Sequence, residues 1–177
     1  MAEVKEPVGI DVHTHVFVKS PPYGNRNQPY GKYCLWYMPS IYKYVRHEKI
    51  TPEQVLESLP SEGEWIGTYR EWNVKAMPIA ATWEDKELQA TPDNELAKLW
   101  MQEHNNYIAE MIKKYPDVCL KGWGSVDVFR GQIAVDEAVR CVKELGFLGI
   151  KQHQAAQAFF PNEKRFYPIW EAVQRVG

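Results

Sequence analysis

Four short apolar runs punctuate the chain. Each is followed by a stretch whose apolar residues recur every three or four positions. The first run, Val8 to Phe17 (VGIDVHTHVF), is rich in β-branched residues and alternates at its centre, as a buried strand does. Val74 to Ala81 reads as a second strand, although Pro78 lacks the N–H that a central strand uses. Val118 to Val128 is a third strand region, and Phe147 to Gln152 a fourth. The helices between them have legible ends. Thr51-Pro52-Glu53-Gln54 supplies an N-cap, a first-turn proline and an acid, opening a short helix through Leu59. Trp65 to Trp72 reads as a further helical turn or two. Thr91-Pro92-Asp93 opens a helix to about Lys114, with Leu96, Trp100, Met101, Ile108, Met111 and Ile112 on its apolar face. Gly131 to Leu145 carries Ile133, Ala134, Ala138, Cys141, Val142 and Leu145 as its stripe, and Gly146 stops it. Phe166 to Val176 is the last helix.

Strand and helix in strict alternation predict an α/β fold with a parallel sheet and crossover helices. The open doubly wound sheet and the closed (β/α)₈ TIM barrel both meet that description. The nucleotide-binding form of the open sheet needs a Gly-rich turn after its first strand. Here that strand ends in HTHVF, which favours the barrel. A whole barrel takes about 250 residues, whereas these 177 hold four βα units. Residues 1–177 are therefore expected to be the N-terminal part of a single barrel domain, as a truncated chain or one part of a split protein. The cover would come from the missing C-terminal half or from a homo-oligomer partner. Without it, Phe147, Leu148 and Ile150 would form an apolar sheet edge. The stripe of Phe166, Ile169, Trp170 and Val173 would likewise face a neighbour this sequence does not contain.

A formal net charge of -2 points to neither nucleic acid nor an anionic membrane as a partner. No run is long enough to span a bilayer and the N-terminus has no signal-like apolar core, so the cytoplasm is the expected location. Cys34, Cys119 and Cys141 are odd in number and far apart, which argues against a disulfide framework or a Cys-based zinc site. Residues 18–50 change the picture more. They hold Tyr30, Tyr33, Trp36, Tyr37, Tyr42 and Tyr44 in a stretch too long for an idle connection. Placed directly after the first strand, such an insertion would overhang the barrel mouth. It would either wall a pocket for an aromatic or acyl substrate, with Trp36 and Tyr37 as the binding candidates, or pack against itself or another subunit.

The candidate chemistry lies at the strand ends. His13 and His15 are two apart on a strand, so they face the same way with Cα atoms roughly 6.5 Å apart. At the C-terminal end of a barrel strand, where barrel active sites are built, two imidazoles can converge on one ion. His153 follows the fourth strand and is expected on the same rim. Lys151 and Asp11, each two residues before a candidate ligand, are expected to lie deeper on the same face as a buried pair beneath a single ion. His104 falls on the apolar face of its helix and reads as a core-edge residue. His47, in the aromatic segment, is expected to have no role.

The phrases DVHTHVF and GFLGIKQHQAAQAFFPNEKRFYPIWEAV resemble the amidohydrolase superfamily, and within it the branch containing aminocarboxymuconate-semialdehyde and resorcylate decarboxylases. The resemblance implies that His13, His15 and His153 hold one divalent metal ion, Zn²⁺ or else Mn²⁺. It also implies that a general acid/base His and an Asp ligand lie beyond Gly177. Gln154 departs from the family, where proline is common. The activity it implies is hydrolysis of a small organic, acyl or aromatic substrate by metal-activated water. Non-oxidative decarboxylation on the same scaffold is the alternative, and a non-catalytic fragment a third reading.

Overall fold

The computed structural model describes residues 6–16, 57–80 and 93–177, together with 51 and 54; the side chains of 155 and 156 are outside that set. The aromatic insertion, with Trp36, Tyr37, His47 and Cys34, lies outside the described residues, as do Thr91 and Pro92. In chain order the elements are β1 (Gly9–His15), α1 (Glu62–Trp72), β2 (Val74–Ile79), α2 (Asn94–Lys114), β3 (Trp123–Gly124), α3 (Gln132–Lys143), β4 (Gly149–Ile150), α4 (Gln154–Gln157) and α5 (Tyr167–Val176). The four strands form one sheet in the order β1-β2-β3-β4, all parallel. That is the first half of a (β/α)₈ barrel wall, with both ends of the strand row open among the described residues.

Local chemistry explains where the helices start. Ser61 accepts from Glu64 N–H while the Glu64 carboxylate accepts from Ser61 N–H, so α1 opens on a complete capping box. It runs 11 residues and closes on Asn73, whose φ of 52° is left-handed. Asp93 caps α2 by accepting from Leu96 N–H. The strands are shorter than the apolar runs predicted, and β3 shows why. It is bridged to β2 at Ala76↔Cys119 and rejoins at Ile79↔Trp123, with the ladder interrupted between. Ala76 and Ala80 both send their N–H toward the β3 side, to Val118 and Trp123. Pro78 shares their parity, so its missing donor falls in that interruption and costs the sheet no bond.

The helices cover one side of the sheet, here termed the convex side. Val16, Ala76, Ala80, Cys119 and Phe147 pack there with Ile66 and Tyr69 of α1 and Ile108 and Met111 of α2. A second cluster joins Trp100, Met101, Val126, Val128, Ala134 and Ala138 to Phe159, Phe166 and Ile169. Here the expectation for the last helix needs correction. Phe166 and Ile169 are 2% exposed, and Trp170 and Val173 pack against the same cluster, because α3 of this chain lies over them. Phe147 is likewise buried, while Leu148 is 54% exposed, so the apolar edge of strand 4 is a matter of one residue and not of the whole run. Between the clusters, Asn105 donates to Ser125 O and to Glu137 Oε1 and accepts from Ser125 N–H, and Arg140 grips the Glu137 carboxylate. That satisfied buried network ties the segment after β3 to α2 and α3.

Cys119 and Cys141 are buried thiols in this convex core. Burial pushes the Cys119 thiol up to about 12 and raises Cys141 as well, so neither is poised as a nucleophile.

Candidate active site

The strand register puts a single row of residues on the uncovered, concave side. His15 pairs with Ile79, Ile79 with Trp123, and Trp123 with Gly149, one position from each of the four strands. Paired residues in a parallel ladder share a face, so the row is continuous across the sheet. Lys151, two residues beyond Gly149, continues that face toward the C-terminal rim. Val12, His13, Ile79, Trp123, Ile150 and Lys151 line one pocket of about 350 Å³.

Glycine on the opposite side makes the row possible. A Cβ on Gly122 would sit 2.9 Å from Ile112 Cδ1, and one on Gly124 2.7 Å from Cys141 Sγ. The helices thus press onto β3 on its convex face, and the large side chain between the two glycines, Trp123, occupies the concave one. The phrase Gly122-Trp123-Gly124 carried that signal in the sequence; Trp123 and Ile79 were not among the residues singled out from it.

His13 and His15 meet as expected. Their Nε2 atoms are 3.3 Å apart and their ring centroids 5.2 Å. With a proton on one Nε2 the two form a hydrogen bond. With both lone pairs turned to one point they form an edge of a coordination sphere, since two nitrogens each about 2.1 Å from one ion lie about 3.4 Å apart at a tetrahedral angle. The pair fits a divalent ion on that measure. His153 is on the same C-terminal rim, since β1 and β4 run in the same sense, and it is exposed at the N-cap of α4. It does not join the pair here. Among the described residues no three His, Cys, Asp or Glu side chains form a group able to hold a metal ion.

The expected Asp11–Lys151 pair is not formed. Asp11 pairs with Ala76 and Thr14 with Pro78, so β1 takes three steps where β2 takes two. This β-bulge reverses parity between Asp11 and the histidines. Asp11 therefore faces the helices, where its Oδ2 accepts from Tyr69 OH at 2.7 Å, while Lys151 lines the concave pocket with His13. His104 lies deeper than a core edge: it is 1% exposed, with its Nδ1 2.9 Å from Trp100 O. Burial pushes it down to about 4, leaving a neutral ring that serves the core of α2.

The comparisons with known proteins agree with this architecture. Residues 10–177 match the Amidohydrolase family, and the chain belongs to it. Over 93 residues it is 29% identical to a gamma-resorcylate decarboxylase of Polaromonas sp., an alignment covering 49% of this chain and 28% of that protein. Among solved structures it is similar to a 5-carboxyvanillate decarboxylase from Novosphingobium aromaticivorans with bound manganese and a nitrobenzoic acid, at 26% identity and a TM-score of 0.61, over 78% of this chain and 40% of the other. A 2,6-dihydroxybenzoate decarboxylase shares the fold at 18% identity and a TM-score of 0.58, over 95% of this chain and 47% of that one. The chain spans less than half the length of each of these relatives, and the fold they share is the TIM barrel of the amidohydrolase decarboxylases.

Proposed function

We propose that this chain contributes half of the active site of a metal-dependent, non-oxidative decarboxylase of small aromatic carboxylic acids. The observation that carries the reading is the His13–His15 pair, 3.3 Å apart at the mouth of a pocket whose walls are Val12, Ile79, Trp123 and Ile150 and whose cation is Lys151. Hydrolysis stood first on the sequence alone. Relatives that act on resorcylate, dihydroxybenzoate and carboxyvanillate support decarboxylation over it.

His13 and His15 would hold the ion, with His153 as the third ligand swung in from the same rim. Manganese in a structural relative supports a divalent metal, with Mn²⁺ ahead of Zn²⁺. When bound, that ion supplies a Lewis acid beside the substrate's carboxylate and ring hydroxyl. The chain's own residues do the rest. The aromatic ring of an acid stacks in the apolar pocket against Trp123, and the Lys151 ammonium orients its carboxylate. In the reaction the ring–carboxyl bond breaks, carbon dioxide leaves, and the ring carbon keeps the electron pair and takes a proton. The general acid for that proton, and any Asp ligand, are expected from the other half of the barrel. A C-terminal half or a second copy of the chain would supply the cover for Val8, just before β1, and for Ile10 and Val12 on it, which are 81%, 52% and 59% exposed.

The test is to load the whole barrel, this chain together with the half that supplies the general acid, with Mn²⁺ and follow carbon dioxide release from dihydroxybenzoate and carboxyvanillate, against acid release from aryl amides and esters. Carbon dioxide release that vanishes in Lys151→Met supports the reading. Water-dependent acid release without carbon dioxide returns the protein to hydrolysis.

A further inference from the structure

The bulge in β1 is held on every side. Its first residue, Asp11, accepts from His13 N–H at 3.1 Å with Oδ1 and from Tyr69 OH at 2.7 Å with Oδ2. Its last, Thr14, is 9% exposed, and its hydroxyl stands 2.7 Å from the phenolic oxygen of Tyr69. The carboxylate can only accept, so the phenol proton goes to Asp11 and the Thr14 hydroxyl donates to the phenol oxygen. On the concave side, Trp123 Nε1–H donates to Val12 O at 3.0 Å. Each of the four residues 11–14 thus has a polar tether, and two of the tethers run to one phenol on α1, 8% exposed.

A bulge leaves a residue outside the regular ladder, and moving this one by a single position would turn His13 to the helices. We infer that Asp11 and Tyr69 are positioning residues that lock the 11–14 bulge and thereby hold the His13 and His15 imidazoles in ion-binding geometry. Neither touches the ion or the substrate. The inference rests on the metal site proposed above, and it extends that site to a helix on the opposite face of the sheet.

Tyr69→Phe removes one oxygen and keeps the ring against Trp65, 4.5 Å away between centroids. Asp11→Asn leaves one acceptor for two donors. Ile66→Val, fully buried on the same face of α1, loosens packing without touching the polar tether and is the control. Two readouts are needed: the inter-ring NOE between His13 and His15 in metal-free protein, and the dissociation constant for Mn²⁺. Outer partners of metal ligands typically contribute about 10–100-fold in affinity. In Tyr69→Phe and Asp11→Asn the NOE should be lost and Mn²⁺ binding weakened by about tenfold or more. In Ile66→Val both should stay at wild-type values although the melting temperature falls. An NOE retained in Tyr69→Phe, or an equal loss in Ile66→Val, would overturn the inference. If the wild type binds no Mn²⁺, the metal reading fails by itself, and the NOE alone then decides whether the tether positions the rings.

Discussion

The two faces of this sheet are built from alternate residues of the same strands, yet they are finished to different degrees. On the convex face, Thr14, Val16, Ala76, Ala80 and Cys119 are at most 9% exposed beneath α1 and α2. On the concave face, Val8, Ile10 and Val12 are more than half exposed. Burial on the convex side supplies the stability, at about 25 cal/mol per Å² of apolar surface removed from water. The concave side can then carry imidazoles and an ammonium that contribute little to folding. Residues 11–14 are where one strand passes from the first task to the second.

The comparison can be broken by showing that the faces do not divide stability and chemistry in this way. The largest effect is expected in the helix layer. Glu137 is 2% exposed and holds Arg140, Asn105 and, at longer range, Cys141. Glu137→Ala should destabilise by about 3 kcal/mol or more in urea titration, since it leaves the half-buried Arg140 guanidinium and the buried Asn105 amide without their carboxylate. The metal affinity of the remaining folded protein should not change.

Next comes acid sensitivity. His104 is pushed down to about 4 by burial from an ordinary value of 6.5, so between these values the unfolded chain binds a proton that the folded chain refuses. Its contribution is fully present above about pH 6.5 and is lost as the pH falls toward 4, on the order of 3 kcal/mol across that window. Unfolding midpoints at several pH values should fall along this curve for the wild type and flatten for His104→Leu. The same slope in both would place the acid sensitivity elsewhere.

Gly124→Ala is expected to cost about 1–3 kcal/mol by overpacking against Cys141 and Ile150. Circular dichroism melts would record it, and any shift in metal affinity beyond the change in stability would show that the convex face reaches the site more directly. The smallest stability effect is expected at the chemistry itself. His15→Ala should move stability by no more than about 1 kcal/mol while abolishing measurable Mn²⁺ binding by elemental analysis. A large loss of stability with the metal retained would reverse the division between the faces.

The alternation of strands and helices was legible in the residues alone, because apolar periods of two and about 3.6 residues are local properties of the chain. That His13 and His15 share a face was legible as well, since residues two apart in a strand do so where no bulge separates them, as was the placing of His153 after a parallel strand on the same rim. α1 reads from its apolar residues as only a turn or two, and the Ser61–Glu64 capping box that starts it at Glu62 enters with the structure. The rest depends on contacts between elements. The sequence does not say that α3 covers the Phe166–Ile169 stripe, because a helix stripe specifies that it will be buried and not against what. Nor does it say that Asp11 faces Tyr69 and not Lys151. Parity along β1 holds only where the pairing with β2 is regular, and the extra step between Asp11 and Thr14 exists only in that pairing. The residue that read as the floor of a metal site is for this reason a tether to the helix behind it.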